Sequence, residues 1–191
     1  MPRAGLTRER IARVAAEVAD EVGLERLTLA EVAKRLHVSG PALYKHVAGL
    51  DALRREVAVL TLGELTMALS AATVGRAGAD ALSGLAHAYR AYAHSHPGRL
   101  AASVRAPAPG DAEHDAASDA ALAVLVAVLS GYGVRDDDMV DALRVVRAGL
   151  HGFAVIETAR GFGLPHDIDT SFARYVETLD AGLRSWARAP R

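Results

Sequence analysis

The chain has 191 residues, 51% of them hydrophobic but only 5% aromatic, with 22 Lys and Arg against 23 Asp and Glu and no cysteine. This is enough apolar material to bury a core unaided, and too much, at too low a net charge, for a disordered chain. The absence of cysteine excludes a disulfide framework, thiolate metal sites and thiol catalysis.

No apolar run approaches the roughly 18 residues of a membrane span. The first eight residues lack the apolar stretch of a secretion signal. The expectation is a cytoplasmic protein with no membrane partner.

Ile11, Val14, Ala15, Val18, Ala19 and Val22 recur at helical spacing, the stripe of an amphipathic helix. Thr7 is placed to cap its start, and Gly23 to end it in a left-handed conformation. Leu29, Val32, Ala33 and Leu36 form a second, short stripe, opened by a capping box of Thr28 and Glu31. Ser39 is the expected cap of a third short helix with Pro41 in its first turn. Leu50 to about Ala72 reads as a longer helix.

A break with two glycines, Gly75 and Gly78, follows. Beyond it the spacing predicts helices at about 79–96, 98–105, 113–132, 137–161 and 168–188. The polar, acidic segment Pro107–Asp119 reads as the most mobile loop, with a helix able to begin in its second half. Period-2 alternation is absent, so the expected fold is all-α, with about nine helices and no sheet.

The run Thr28–Val47 carries the chemistry. Two short helices joined by about three residues must cross steeply, and Ala33 supplies the small side chain at their closest approach. Leu29, Leu36, Val38, Leu43 and Val47 face inward. Ser39, Gly40, Pro41, Ala42, Tyr44, Lys45 and His46 are left outside, on a helix thin enough for a DNA major groove. Charge supports this reading: residues 1–60 hold ten Lys and Arg against eight Asp and Glu, and the remainder twelve against fifteen. The only two lysines, Lys34 and Lys45, lie in this motif. The alternative is a pair of core helices in a protein-interaction bundle without specific DNA binding; steep loss of DNA affinity with salt would separate the two.

Residues 7–65 resemble the DNA-binding domain of the tetracycline-repressor-like (TetR) regulators, most specifically over Val38–Val47. The resemblance implies that Tyr44 and His46 contact phosphates, that Gly40, Pro41, Ala42 and Lys45 face bases, and that Thr28 caps a helix near the DNA backbone. Two positions depart from the family pattern. His37 stands where glycine is usual in the turn, and must tolerate a left-handed conformation. Leu50 stands where a lysine commonly opens the fourth helix, which removes a phosphate anchor. Binding then leans on Tyr44, Lys45, His46 and the arm residues Arg3 and Arg8. Lys45 is expected to be the main direct reader, with DNA shape carrying much of the rest.

The stretch Leu143–Glu157, with its His151-Gly152 pair, is similar to a C-terminal subgroup of the same family, although the tryptophan common upstream is absent. The resemblance implies a homodimer joined by the last two helices of each subunit. Ala148, Gly149 and Gly152 would allow close helix approach. Val145, Phe153, Ile156, Phe172, Val176, Leu179 and Leu183 would fill the interface, or in part the core of one subunit. Met67, Tyr89, Tyr92, His96, Arg99, Arg105, His151 and Glu157 are polar or polarisable positions on apolar helices, and so candidates to line an effector pocket. Tyr89 and His151 are alternatively hydrogen-bonded core residues.

His87, His94 and His96 lack the spacing and nearby acids of a metal site. No nucleophile elbow, phosphate loop or paired carboxylates suggest an enzyme. The expected organisation is a helix-turn-helix head at 1–50, a connecting helix at 51–72 and a ligand-binding and dimerisation domain at 73–191. The expected function is a regulator, by family default a repressor, that binds a palindromic double-stranded operator and answers to a small-molecule effector. No cofactor, metal or catalytic residue is implied.

Overall fold

A computed structural model describes residues 6–186. Among these every regular element is helical: α1 Arg8–Val22, α2 Leu29–Leu36, α3 Gly40–Tyr44, α4 Leu50–Thr73, α5 Gly78–Ser95, α6 Pro97–Leu100, α7 Ala112–Ser130, α8 Asp136–Thr158 and α9 Ile168–Trp186. Single 3-10 turns follow α1 at Leu24–Arg26 and α6 at Ala101–Val104. The helix expected at 98–105 is thus one α turn continued by a 3-10 turn. The acidic segment gives way to α7 at Ala112, within a residue of the expected start.

The chain divides into two compact units. The first comprises the residues up to Glu64 together with His96–Ser118; the second comprises Leu65–Ser95 and the residues from Asp119 onward. The segment His96–Ser118, expected in the ligand-binding domain, therefore belongs with the head.

The core of the first unit joins Ile11, Ala15 and Val18 of α1 to Val32 and Leu36 of α2, Leu43, Val47, and Leu53 and Val57 of α4. Ala102 closes it. Gly98 lets α6 lie backbone to backbone on α1, since a Cβ there would sit 1.7 Å from the Ala19 carbonyl oxygen. The neighbouring Arg99 is buried. It donates from its backbone N and its Nε to the two Asp20 oxygens, each at 2.8 Å, and from Nη1 to Glu64 at 2.9 Å. Thr61 Oγ1 donates to the Val57 carbonyl at 2.7 Å and lies 3.3 Å from the Arg99 carbonyl.

A second clamp centres on Arg55 of α4. It bridges Asp111 (Nε to Oδ2, 2.8 Å), Glu113 (2.6 Å) and Glu56 (3.0 Å). The Arg55 guanidinium holds the Asp111 and Glu113 carboxyls below the usual carboxylate range.

The buried residues of the second unit come from four helices: Leu82, Leu85 and Tyr89 of α5; Leu125, Val128 and Leu129 of α7; Ala142, Val146, Leu150 and Ala154 of α8; and Phe172, Val176, Leu179 and Leu183 of α9. Contrary to the expectation above, α4 is long and apolar enough to cross a membrane. Core packing accounts for that apolarity: Leu53, Val57, Leu62, Leu65 and Leu69 are all buried.

Candidate nucleic-acid interface

The site is built by the first three helices. Thr7 Oγ1 caps α1 by accepting from Arg10 N at 3.2 Å, and Thr28 Oγ1 caps α2 by accepting from Glu31 N at 3.2 Å, each satisfying one of the orphan donors of a helix start. Gly23 ends α1 at φ 88°, ψ 146°, a region open essentially to glycine alone but not the left-handed helical one expected. His37 ends α2 at φ 56°, ψ 41°, with its N–H directed at the Ala33 and Lys34 carbonyls. This is the left-handed conformation that its place in the turn demands.

Ser39 precedes α3 with an extended backbone but makes no side-chain cap bond. Its hydroxyl stays on the outer surface with Gly40, Pro41, Tyr44, Lys45 and His46, all exposed, while Ala42 is half-buried. Tyr44 keeps 59% of its surface, an unusual exposure for a large aromatic. Inward, Leu43 and Val47 are buried. The α3 helix proper is only five residues. Lys45 and His46 continue it as a turn, the His46 and Val47 N–H groups both donating to the Leu43 carbonyl. Thr28, Tyr44, Lys45 and His46 are thus brought to the solvent side of one compact unit.

The electrostatics of this face could not be read from charge counts. Arg8 is tied to Glu56 at 2.5 Å and Glu113 at 3.1 Å. Arg35 grips both Glu21 oxygens, and Arg105 both Asp51 oxygens. Lys34 lies 4.0 Å from Glu31. Lys45 pairs with no carboxylate among the described residues, so its ammonium is at once available to a base edge or a phosphate. The arm residue Arg3 lies outside the described residues.

The residues expected at an effector pocket are placed differently. Arg99, His96 and Arg105 belong to the first unit, where Arg99 holds α6 on α1 and His96 Nδ1 lies 3.3 Å from Asp20. In the second unit Glu157 binds Arg90 at 2.7 Å and lies 3.0 Å from His94 Nε2. Tyr89 Oη and His151 Nδ1 are 2.9 Å apart, the core pairing that was the alternative reading. Tyr92 is buried and Met67 is exposed. A cavity of about 290 Å³ between α5 and α9 is lined by Ala79, Ser83, His87, Ala173, Val176, Glu177 and Asp180, none of them among the expected pocket residues.

The dimer set also divides. Phe172, Val176, Leu179 and Leu183 are buried within the chain and have almost no surface to offer a second copy. Phe153 sits in an aromatic cluster with Phe162, Phe172 and Tyr175. Gly149 serves contact within the chain, because a Cβ there would lie 1.9 Å from Tyr175 Oη. Val145 and Ile156 remain exposed, and nothing approaches within 4 Å of a Cβ built on Gly152.

Two family models match the chain: bacterial regulatory proteins of the tetR family over residues 11–57, and the tetracyclin repressor-like C-terminal domain over residues 82–179. An uncharacterized HTH-type transcriptional regulator of Mycobacterium tuberculosis is 39% identical over 183 residues, covering 94% of this chain and 83% of that protein. The chain belongs to the TetR family of transcriptional regulators. A second uncharacterized HTH-type regulator, from Bacillus subtilis, is 34% identical over 184 residues, covering 95% of each chain. The fold of this TetR-family member also matches a protein of unknown function from a Rhodococcus species (TM-score 0.77, 23% identity, covering 96% of this chain and 99% of that one). A TetR variant of Acinetobacter baumannii, solved in complex with minocycline, matches with TM-score 0.75 at 22% identity, covering 97% of this chain and all (100%) of that one. The family assignment makes the chain a DNA-binding regulator, and the exposed face of α3 is its candidate reader.

Proposed function

We propose that this regulator is a cytoplasmic repressor that binds a palindromic operator as a homodimer and is released by a small hydrophobic effector. The observation that carries the reading is the outward set Ser39–His46, with Tyr44 and Lys45 exposed above a fully packed core. One such helix reads too few base pairs for a genomic address, whereas a two-fold pair reads two half-sites about one DNA turn apart. Exposed Val145 and Ile156 and half-buried Gly152 share one face of α8, and this is the surface we assign to a second copy. Repression follows from occupying a promoter.

Minocycline held by the Acinetobacter relative supports a small-molecule effector. An effector acts only through unequal affinity for the DNA-competent and incompetent states. Helix α4 runs from Leu50 beside the reader to Thr73 and is the element through which we expect that preference to be felt. Selection of bound DNA from a random pool tests the reading. A palindrome with half-sites one turn apart is the expected result; an unrelated set of fragments would count against both dimer and operator.

A further inference from the structure

His114 in the first turn of α7 plays no part in DNA contact, yet it is the most unusual ionisable group in the first unit. Its side chain is fully buried, at 0% exposure, and neither ring nitrogen has a hydrogen-bond partner among the described residues. The nearest acid, Asp111 Oδ2, is 4.0 Å from Nδ1, too far for a hydrogen bond. A buried imidazole without a partner is costly even when neutral, and far more so when charged.

Burial opposes a charge here most strongly. Asp111 is the main attraction for a protonated ring, with Asp115 behind it, but the Asp111 carboxylate is already held by Arg55. Arg55 of α4 and Arg105, beyond the 3-10 turn at Ala101–Val104, both repel a protonated ring. The position in the helix adds to the opposition. Asp111 Oδ1 accepts from His114 N at 3.2 Å as the cap of α7, which places the ring in the first turn, where the helix dipole disfavours cations. Burial accordingly pushes the imidazole below its ordinary range.

The same few residues fasten α7 to α4. Asp111 and Glu113 are the two α7-side partners of Arg55, and Glu113 also reaches Arg8 of α1. We propose that His114 is an acid-sensitive latch: protonating the ring requires releasing the Asp111–Asp115 segment from Arg55, so acidification undocks the first turn of α7 from the head. The unfolded or undocked chain binds the proton more readily than the docked one. The stability it contributes is therefore complete above about pH 6.5 and is lost as pH falls below that value. The latch is a property of the protein alone. Only its consequence, weaker operator binding in acid, rests on the regulator reading.

Hydrogen exchange of the amides of residues 114–117 between pH 7.5 and 5.5, corrected for intrinsic rates, measures the undocking. The wild-type opening equilibrium is expected to rise by up to about tenfold per pH unit in the lower part of this range. In His114→Leu, which is apolar and cannot protonate, it is expected to stay flat. Equal acid-induced opening in the variant overturns the latch. The NMR titration of the wild-type His114 ring is independent of whether that variant folds. A ring that titrates near 6.5 with the segment still protected overturns it as well. Operator affinity over the same range should fall with acid in wild type and less so in His114→Leu. Equal loss in both would assign the acid effect to other groups and remove the regulatory consequence, while exchange alone decides the latch.

Discussion

Lys45 gains its importance from what surrounds the other cations. Arg8, Arg35, Arg55 and Arg105 are all committed to carboxylates, whereas Lys45 is exposed. Lys45→Ala is therefore expected to cost about 1–3 kcal/mol against the selected operator and to relax preference at one base position in each half-site, the effect of losing a base contact. Fluorescence anisotropy with single-base operator variants checks this; a uniform loss across all sequences would make Lys45 a phosphate anchor. At the turn, His37 holds a left-handed backbone at φ 56° that costs a non-glycine residue on the order of 1 kcal/mol. His37→Gly should raise the urea midpoint, by about 0.5–1 kcal/mol of stability, without altering operator preference.

Among the elements, α6 is the one whose role was least visible in the sequence. Arg99 and Arg105 stand out as polar residues on an apolar stretch, and that pattern does not distinguish a pocket from an ion pair whose partner is far away in the chain. Their partners, Asp20, Glu64 and Asp51, are 35 to 79 positions distant. Nor does any local spacing announce that Gly98 must meet the Ala19 carbonyl. The short-range features, in contrast, were legible: the stripes, the Thr7 and Thr28 caps and the strained turn at His37 all depend on neighbours within four residues.

Two changes test the α6 attachment. Gly98→Ala places a methyl where backbone atoms already lie and should lower stability by more than about 2 kcal/mol, in the class of severe steric defects. Arg99→Met removes the guanidinium shared by Asp20 and Glu64 and should cost about 1–3 kcal/mol by thermal denaturation. Because Arg55 holds Asp111 and Glu113 below the usual carboxylate range, their contribution to stability is present at neutral pH. It is lost as pH falls below about 4.

For the molecule as a whole, the chain divides into a first unit that includes His96–Ser118 and a second unit from Asp119 onward joined by Leu65–Ser95; we expect DNA reading in the first and assembly in the second. The α8 face that carries Val145, Gly152 and Ile156 is the proposed seam between copies. Ile156→Glu is expected to shift sedimentation from two chains toward one and to weaken operator binding in step, since one head holds only one half-site. The central claim is that the face of α3 reads DNA, and it is tested most directly by titrating the full chain with the selected operator and with a scrambled duplex across a range of salt. The account predicts a preference of at least about 10³ for the operator, with affinity for both falling steeply as salt rises. Equal affinity for the two duplexes, or binding indifferent to salt, would contradict it.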